Sequence, residues 1–318
     1  MRSPSPTLPE RGAGGSFSLG RIMEYQLAAL AAATCWALTG MISTGPAGHL
    51  GAIAFNRLRM AMVFVLLAGV TIVSGSWATI TGNEMLPILA SGFVGIFLGD
   101  TALFLTLNRL GPRRTGILFA MNAPMSTVLG WIFLGEALPL QTVTGIVTAI
   151  AGVVLAIVFG KRRSQLHQWE NIQGPLWVGV LLGLAAALSQ SVGSLIARPV
   201  MAAGADPIAV SALRVGVAVI GLSLLMQLPV KRFHQRNPLT WSVARTVAIS
   251  GFIGMGVGMT LLLFALSGGE VGIIATLSAT TPAIILPLLW WRTGERPALG
   301  AWFGAALVVI GTALIFLE

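Results

Sequence analysis

Asp100 is the residue of this chain whose type and setting packing explains least. It lies inside an apolar run, about seven residues from the end of that run, or roughly 10 Å deep at 1.5 Å per residue. A carboxylate at such a depth in hydrocarbon costs about 2.5–3.5 kcal/mol unless it faces a cavity or a partner. Arg57 and Arg59 lie six to eight residues after the start of the preceding apolar run. The two runs are antiparallel, so Asp100 and the arginines sit at similar depth. This predicts that Asp100 pairs with Arg57 or Arg59 beside a solute pathway, as a gate or a proton-coupling carboxylate. The plainer alternative is a structural ion pair, with the arginines snorkelling to the interface.

A second group of residues marks breaks in helices. Pro124 and Pro282 fall near the middles of two later runs. Proline removes a donor and clashes with the preceding turn, which frees carbonyls near the midplane. Paired interruptions of this kind surround the substrate site in repeat-built carriers. Asn122, Thr280 and Thr281 supply polar groups at the same depth. Trp36, Ser189, Gln190 and Ser191 are placed to face a central cavity, although a tryptophan in an apolar helix is more often packed in the core or against lipid. Glu136 and Glu295 lie at helix junctions, where the dipole of the next helix favours a carboxylate. His49, His167 and His234 are in loops without ligand spacing, so no metal site is expected. No catalytic residue and no cofactor is expected either.

The elements that must position these groups follow from composition. The chain of 318 residues is 55% apolar and 9% charged, with a mean hydropathy of +0.87. A soluble domain carries about 25% charged residues. Apolar runs long enough to cross a bilayer recur throughout, without the alternation of barrel strands, so helices are expected. The ten expected spans are 24–44, 51–73, 85–108, 115–134, 139–159, 175–197, 207–229, 241–266, 271–291 and 298–317. The net charge of +9 resides mostly in the short loops, where it sets topology; nucleic-acid binding is set aside on that ground. The one cysteine, Cys35, excludes an intramolecular disulfide. Residues 1–22 are rich in Pro, Gly, Ser and Arg, which predicts a disordered tail.

The two halves of the chain repeat one another. Ser91-Gly92-Phe93-Val94-Gly95 recurs as Ser250-Gly251-Phe252-Ile253-Gly254, and Gly99 and Thr101 fall on Gly258 and Thr260, all at an offset of 159. Gly135-Glu136 recurs as Gly294-Glu295, and Gly145 and Gly152 fall on Gly304 and Gly311, at the same offset. The domains are therefore drawn as 23–160 and 175–318, joined by 161–174. With five spans in each half, the second must be inverted relative to the first. The loop charges agree. Arg109, Arg113 and Arg114 follow span three, against Glu270 after span eight; Glu84 follows span two, against Lys231, Arg232, Arg236 and Arg245 around the loop after span seven. Twelve basic residues lie on the side of loop 161–174 and four on the side of the termini, which places the termini outside.

This ordered series resembles the EamA-type module of the drug/metabolite transporter superfamily, present twice. The features that carry the resemblance are Ala-Thr-Cys35-Trp36-Ala in the first helix and an arginine near the start of the second (Arg57; Arg214 in the second half). A Gly-rich third helix, a proline before Gly-Glu in the fourth and a Gly-spaced fifth complete the set. Gln190 stands where the second half would match Trp36. The resemblance implies an all-α integral membrane protein of ten helices in two inverted five-helix repeats, located in the inner (plasma) membrane. It implies alternating-access transport of a small metabolite or drug-like solute without ATP hydrolysis. Several intramembrane arginines against one aspartate favour an anionic or zwitterionic solute such as an amino acid. A non-transporting scaffold of the same fold and a membrane-embedded enzyme are the competing readings. No Ser-His-Asp set or His-rich pair speaks for the enzyme. The expected partners are the solute and the lipid bilayer, and the oligomeric state is left open between monomer and homodimer.

Overall fold

The computed structural model describes residues 14–134, 138–160, 172–268, 274 and 277–316, and every regular element among them is helical. Helix α1 (Gly14–Leu50) turns at Gly51 into α2 (Ala52–Ser74). Gly51 has φ of 87°, in the left-handed half of conformational space that glycine reaches without strain. A 3₁₀ turn, Ser76–Thr79, leads to α3 (Gly82–Ser91), opened by a reciprocal cap in which the Glu84 carboxylate accepts from the Thr81 N–H. A π-helical stretch, Gly92–Leu98, then passes into α4 (Gly99–Phe119). Two helical segments meet within α4 at Gly111, where φ is 78° and ψ is 171°. The first half ends with α5 (Asn122–Leu134) and α6 (Leu140–Val158).

The second half follows the same plan. Helix α7 (Leu176–Ala202) precedes α8 (Pro207–Leu225), which is capped by Asp206 accepting from the N–H groups of Ile208 and Ala209, with Pro207 in the first turn. After the short turn Lys231–Phe233 come α9 (Trp241–Gly251), a π-helical stretch Phe252–Met259, and α10 (Thr260–Gly268). Helices α11 (Thr281–Thr293) and α12 (Leu299–Phe316) complete the described chain. Thr81 and Thr240 cap equivalent helices, the π stretches fall at equivalent places, and helix breaks at Ala120–Met121 and Ala279–Thr280 are also 159 residues apart.

Seven helical stretches are long and apolar enough to cross a membrane among the described residues, the longest being Gly82–Phe119. Spans four and nine of the sequence reading are instead broken, leaving 13-residue helices α5 and α11, and α12 falls short of the same length over its apolar part. Helix α1 also starts at Gly14, earlier than residue 24, because no proline lies between Pro9 and Pro46 to stop it. The expected tail is corrected for residues 14–22; residues 1–13 lie outside the described residues, as do Gly135, Glu136, Glu270 and most of the loop 161–174.

Two sets of contacts fix how the halves meet. Helices α6 and α12 pack through glycines: a Cβ on Gly145 would lie 2.6 Å from the Gly311 carbonyl oxygen, and one on Gly152 would lie 2.7 Å from that of Gly304. Only glycine lets the two backbones approach so closely. At one end of the bundle the α8–α9 loop docks on the α1–α2 corner, with Arg236 N–H donating to the Leu50 carbonyl and Asn237 Nδ2 to that of His49. At the other end the α2–α3 turn meets the α7–α8 corner, where Asp206 N–H donates to Thr79 Oγ1. Equivalent corners therefore lie at opposite ends.

Candidate solute cavity

Helix α2 buries Arg59 and the start of α4 buries Asp100, and they form an ion pair, Nη2 to Oδ2 at 2.8 Å. The Arg59 guanidinium also lies 4.6 Å from the centre of the Phe104 ring, one turn beyond Asp100. Arg57 is two positions earlier, which rotates it about 200° around the helix. It is exposed, and its Nε donates to Ser223 Oγ on α8 at 3.1 Å. Of the two expected partners, Arg59 is the one that meets Asp100.

The second half builds the same arrangement with one substitution. Met259 occupies the position 159 residues after Asp100, and the buried Arg214 of α8 approaches it, Nη1 to Sδ at 3.5 Å. Nε and Nη2 of Arg214 and Nε of Arg59 have no hydrogen-bond partner among the described residues. Each arginine also packs under the glycine strip of the opposite half. A Cβ on Gly92 would lie 2.7 Å from Arg214 Cα, and one on Gly251 would lie 3.2 Å from the Arg59 carbonyl oxygen. The equivalence of Arg57 with Arg214 is thereby corrected: Arg59 is the residue that answers Arg214. The helices paired with these strips correspond as well. Gly258 sits against Cys35 and Trp36, and Gly99 against Ser189, so Trp36 and Gln190 occupy matching places.

Between the halves lies an open cavity, with about 670 Å³ of empty space when its part open to solvent is counted. Trp36, Arg59, Asp100 and Gln190 line it, together with Thr39, Thr115, Phe119, Met259 and Thr281. Trp36 Nε1 donates to the Gly254 carbonyl at 3.2 Å, and its ring meets Phe119 edge-on at 6.2 Å. Gln190 Nε2 reaches Ser194 Oγ at 3.4 Å. Arg57, Asn122, Pro124, Arg214, Thr280 and Pro282 are outside the lining, and Arg214 stands directly behind Met259. Asn122 Nδ2 and Thr280 Oγ1 each donate to a carbonyl of the preceding turn, Phe119 and Leu277 respectively, at 2.7 Å.

The prolines sit elsewhere than mid-helix. Pro124 and Pro282 fall in the first turns of α5 and α11, just after the breaks, where their missing N–H costs no intrahelical bond. Arg113 and Arg114 likewise depart from their expected place in an exposed loop. The Gly111 corner turns both inward, and Arg113 Nη1 donates to the Ala156 carbonyl near the end of α6 at 2.8 Å. Sequence reasoning missed Thr39, Thr115, Phe119 and Met259, which sit in apolar helices without a mark of their own. For Met259, the repeat offset was the available signal.

Comparison with known proteins decides the family. The EamA-like transporter family matches residues 23–158 and again residues 177–317. The chain belongs to that family. It is thereby a member of the drug/metabolite transporter superfamily and a multi-pass membrane protein, and this points to a transporter rather than an enzyme. A curated Clostridium kluyveri protein named as an uncharacterized transporter is 27% identical over 172 residues, 52% of this chain and 53% of its own. The matched region thus spans about half the length of that relative. A solved crystal structure superimposes with a TM-score of 0.68 over 93% of this chain and 97% of its own, at 18% identity, a likeness of fold.

Proposed function

We propose that this member of the EamA-like family is a secondary-active carrier of a small anionic or zwitterionic metabolite, working by alternating access in the inner (plasma) membrane. On this reading residues 23–160 and 175–318 are two inverted five-helix repeats, giving ten crossings. The opposite placement of equivalent corners supports the inversion. The π-helical stretches and helix breaks at equivalent positions supply deformable elements next to the cavity in both repeats.

One observation carries the substrate class. Arg59 lines the cavity, buried and with its Nε unmet, and Asp100 is the one carboxylate among the described residues that line it; Arg214, with two unmet N–H groups, stands behind Met259. A buried guanidinium without a partner is costly, and a planar carboxylate or phosphate satisfies its fork in two places at once. Bound solute would meet that demand, with Trp36, Phe104 and Phe119 covering its apolar part.

The test is flux into proteoliposomes of anionic, zwitterionic and neutral solutes, with and without a pH gradient. Arg59→Gln should lower uptake of the anionic solutes, and Arg214→Gln, which acts from behind Met259, should lower it less. If both leave every anionic flux intact, the substrate class is wrong. If no solute moves at all, the carrier reading fails and the scaffold reading takes its place.

A further inference from the structure

Arg57 is a cation that the cavity does not use. It lies five residues into α2, about 8 Å from the helix start, level with the last turn of α8. Its Nε is tied to Ser223 Oγ at 3.1 Å while the side chain stays exposed. The tether holds the guanidinium across the seam where α2 packs on α8 (the α2–α8 groove), on the exposed outer wall of the bundle. At its level and one turn deeper the face of α8 is apolar: Leu224, next to Ser223, and Ile220 are 59% and 63% exposed. Further cations stand on elements that pack against α2. Lys231 lies in the Lys231–Phe233 turn and Arg245 on α9, and both are exposed. Trp241, 83% exposed at the start of α9, marks the headgroup level of the same end.

An exposed guanidinium above an apolar groove, at the level where hydrocarbon gives way to headgroups, has two unmet demands. The fork requires an anion, which a phosphate meets bidentately, and the groove requires hydrocarbon. A phospholipid supplies both on one molecule. This end is also the basic end of the chain, where the positive-inside rule places the leaflet rich in anionic lipid. We propose that the α2–α8 groove is a binding site for an anionic phospholipid, its phosphodiester on Arg57 and its acyl chains along Ile220 and Leu224. The site lies outside the cavity and does not depend on what the cavity carries.

The experiment is native mass spectrometry of the full chain in detergent micelles, titrated with phosphatidylglycerol and with phosphatidylcholine of matched chains. Phosphatidylglycerol should bind more tightly. Arg57→Gln should weaken it about fivefold, the worth of one interfacial cation, and leave phosphatidylcholine unchanged. Ser223→Ala, which keeps every charge, should weaken it in the same direction but less, and serves as the readout if Arg57→Gln does not fold. Arg198→Gln alters an exposed arginine near the α7–α8 corner, at the opposite end, and should do nothing. The proposal is overturned if Arg57→Gln and Ser223→Ala weaken phosphatidylglycerol no more than Arg198→Gln. It is also overturned if inorganic phosphate displaces the lipid at equal concentration, since the site would then read a free anion.

Discussion

Replacing Asp100 with alanine removes the one carboxylate among the described residues in contact with Arg59, whose side chain is 3% exposed. The guanidinium would keep its place on Phe104 and lose its counter-charge, with Nε already unmatched. Breaking a buried pair from one side costs about 3–5 kcal/mol, because the surviving charge is left desolvated. Arg59→Met should cost a similar amount through the stranded carboxylate. The double replacement removes both charges, so it should cost much less than the sum, with a coupling of about 2–3 kcal/mol. The repeat provides an internal reference: Met259 already stands beside Arg214 in the second half, so Asp100→Met should be milder than Asp100→Ala. The assay is unfolding of the detergent-solubilised chain by increasing sodium dodecyl sulfate, followed by the fluorescence of its nine tryptophans. Single substitutions each costing under about 1 kcal/mol, the worth of a solvated pair, would refute the reasoning, as would single effects that simply add.

Gly152→Ala should destabilise by about 1–3 kcal/mol in the same assay, since its Cβ would meet Gly304 O and Val308 N at 2.7 Å. Gly69→Ala, in exposed helix with nothing within 4 Å, should be neutral or stabilise by up to about 1 kcal/mol. Gly111→Ala should cost about 1–3 kcal/mol, because φ of 78° with ψ of 171° is open essentially to glycine alone. In a Cys35→Ser background, Asn83→Cys and Ser242→Cys occupy equivalent exposed positions and should react with an impermeant maleimide from opposite sides of the membrane. Labelling from one side would remove the inversion.

The features legible in the sequence were those with a period or a register. The offset of 159 located both glycine strips, because each depends on a close backbone approach that only glycine permits. The π-helical stretches, which the sequence did not mark, and the helix breaks, which it marked only through Pro124 and Pro282, fall close to the same offset in the structure. Asp100 was legible because a carboxylate in an apolar run demands a partner. The choice between Arg57 and Arg59 was not, since two residues on a helix face opposite ways and the facing wall is needed to say which is inside. The Gly111 corner was hidden for a related reason. Gly-Pro followed by two arginines reads as a basic loop, and only three-dimensional packing tells that the Arg113 guanidinium folds back onto α6 while Arg114 caps the Leu110 carbonyl of its own helix. The hydroxyls and aromatic ring of the cavity wall sit in runs whose apolar neighbours drown their signal.

The glycine seam of α6 and α12 follows the rule of a twofold dimer. Gly145 faces Gly311 and Gly152 faces Gly304, so each residue meets the copy of the other. In a true homodimer every innovation is imposed on both partners, and an acid introduced beside one arginine would appear beside the other. Joining two copies into one polypeptide lifts that obligation. Asp100 opposite Arg59 and Met259 opposite Arg214 are what such freedom permits: a binding chamber with two distinguishable walls, able to grip a solute that is itself lopsided.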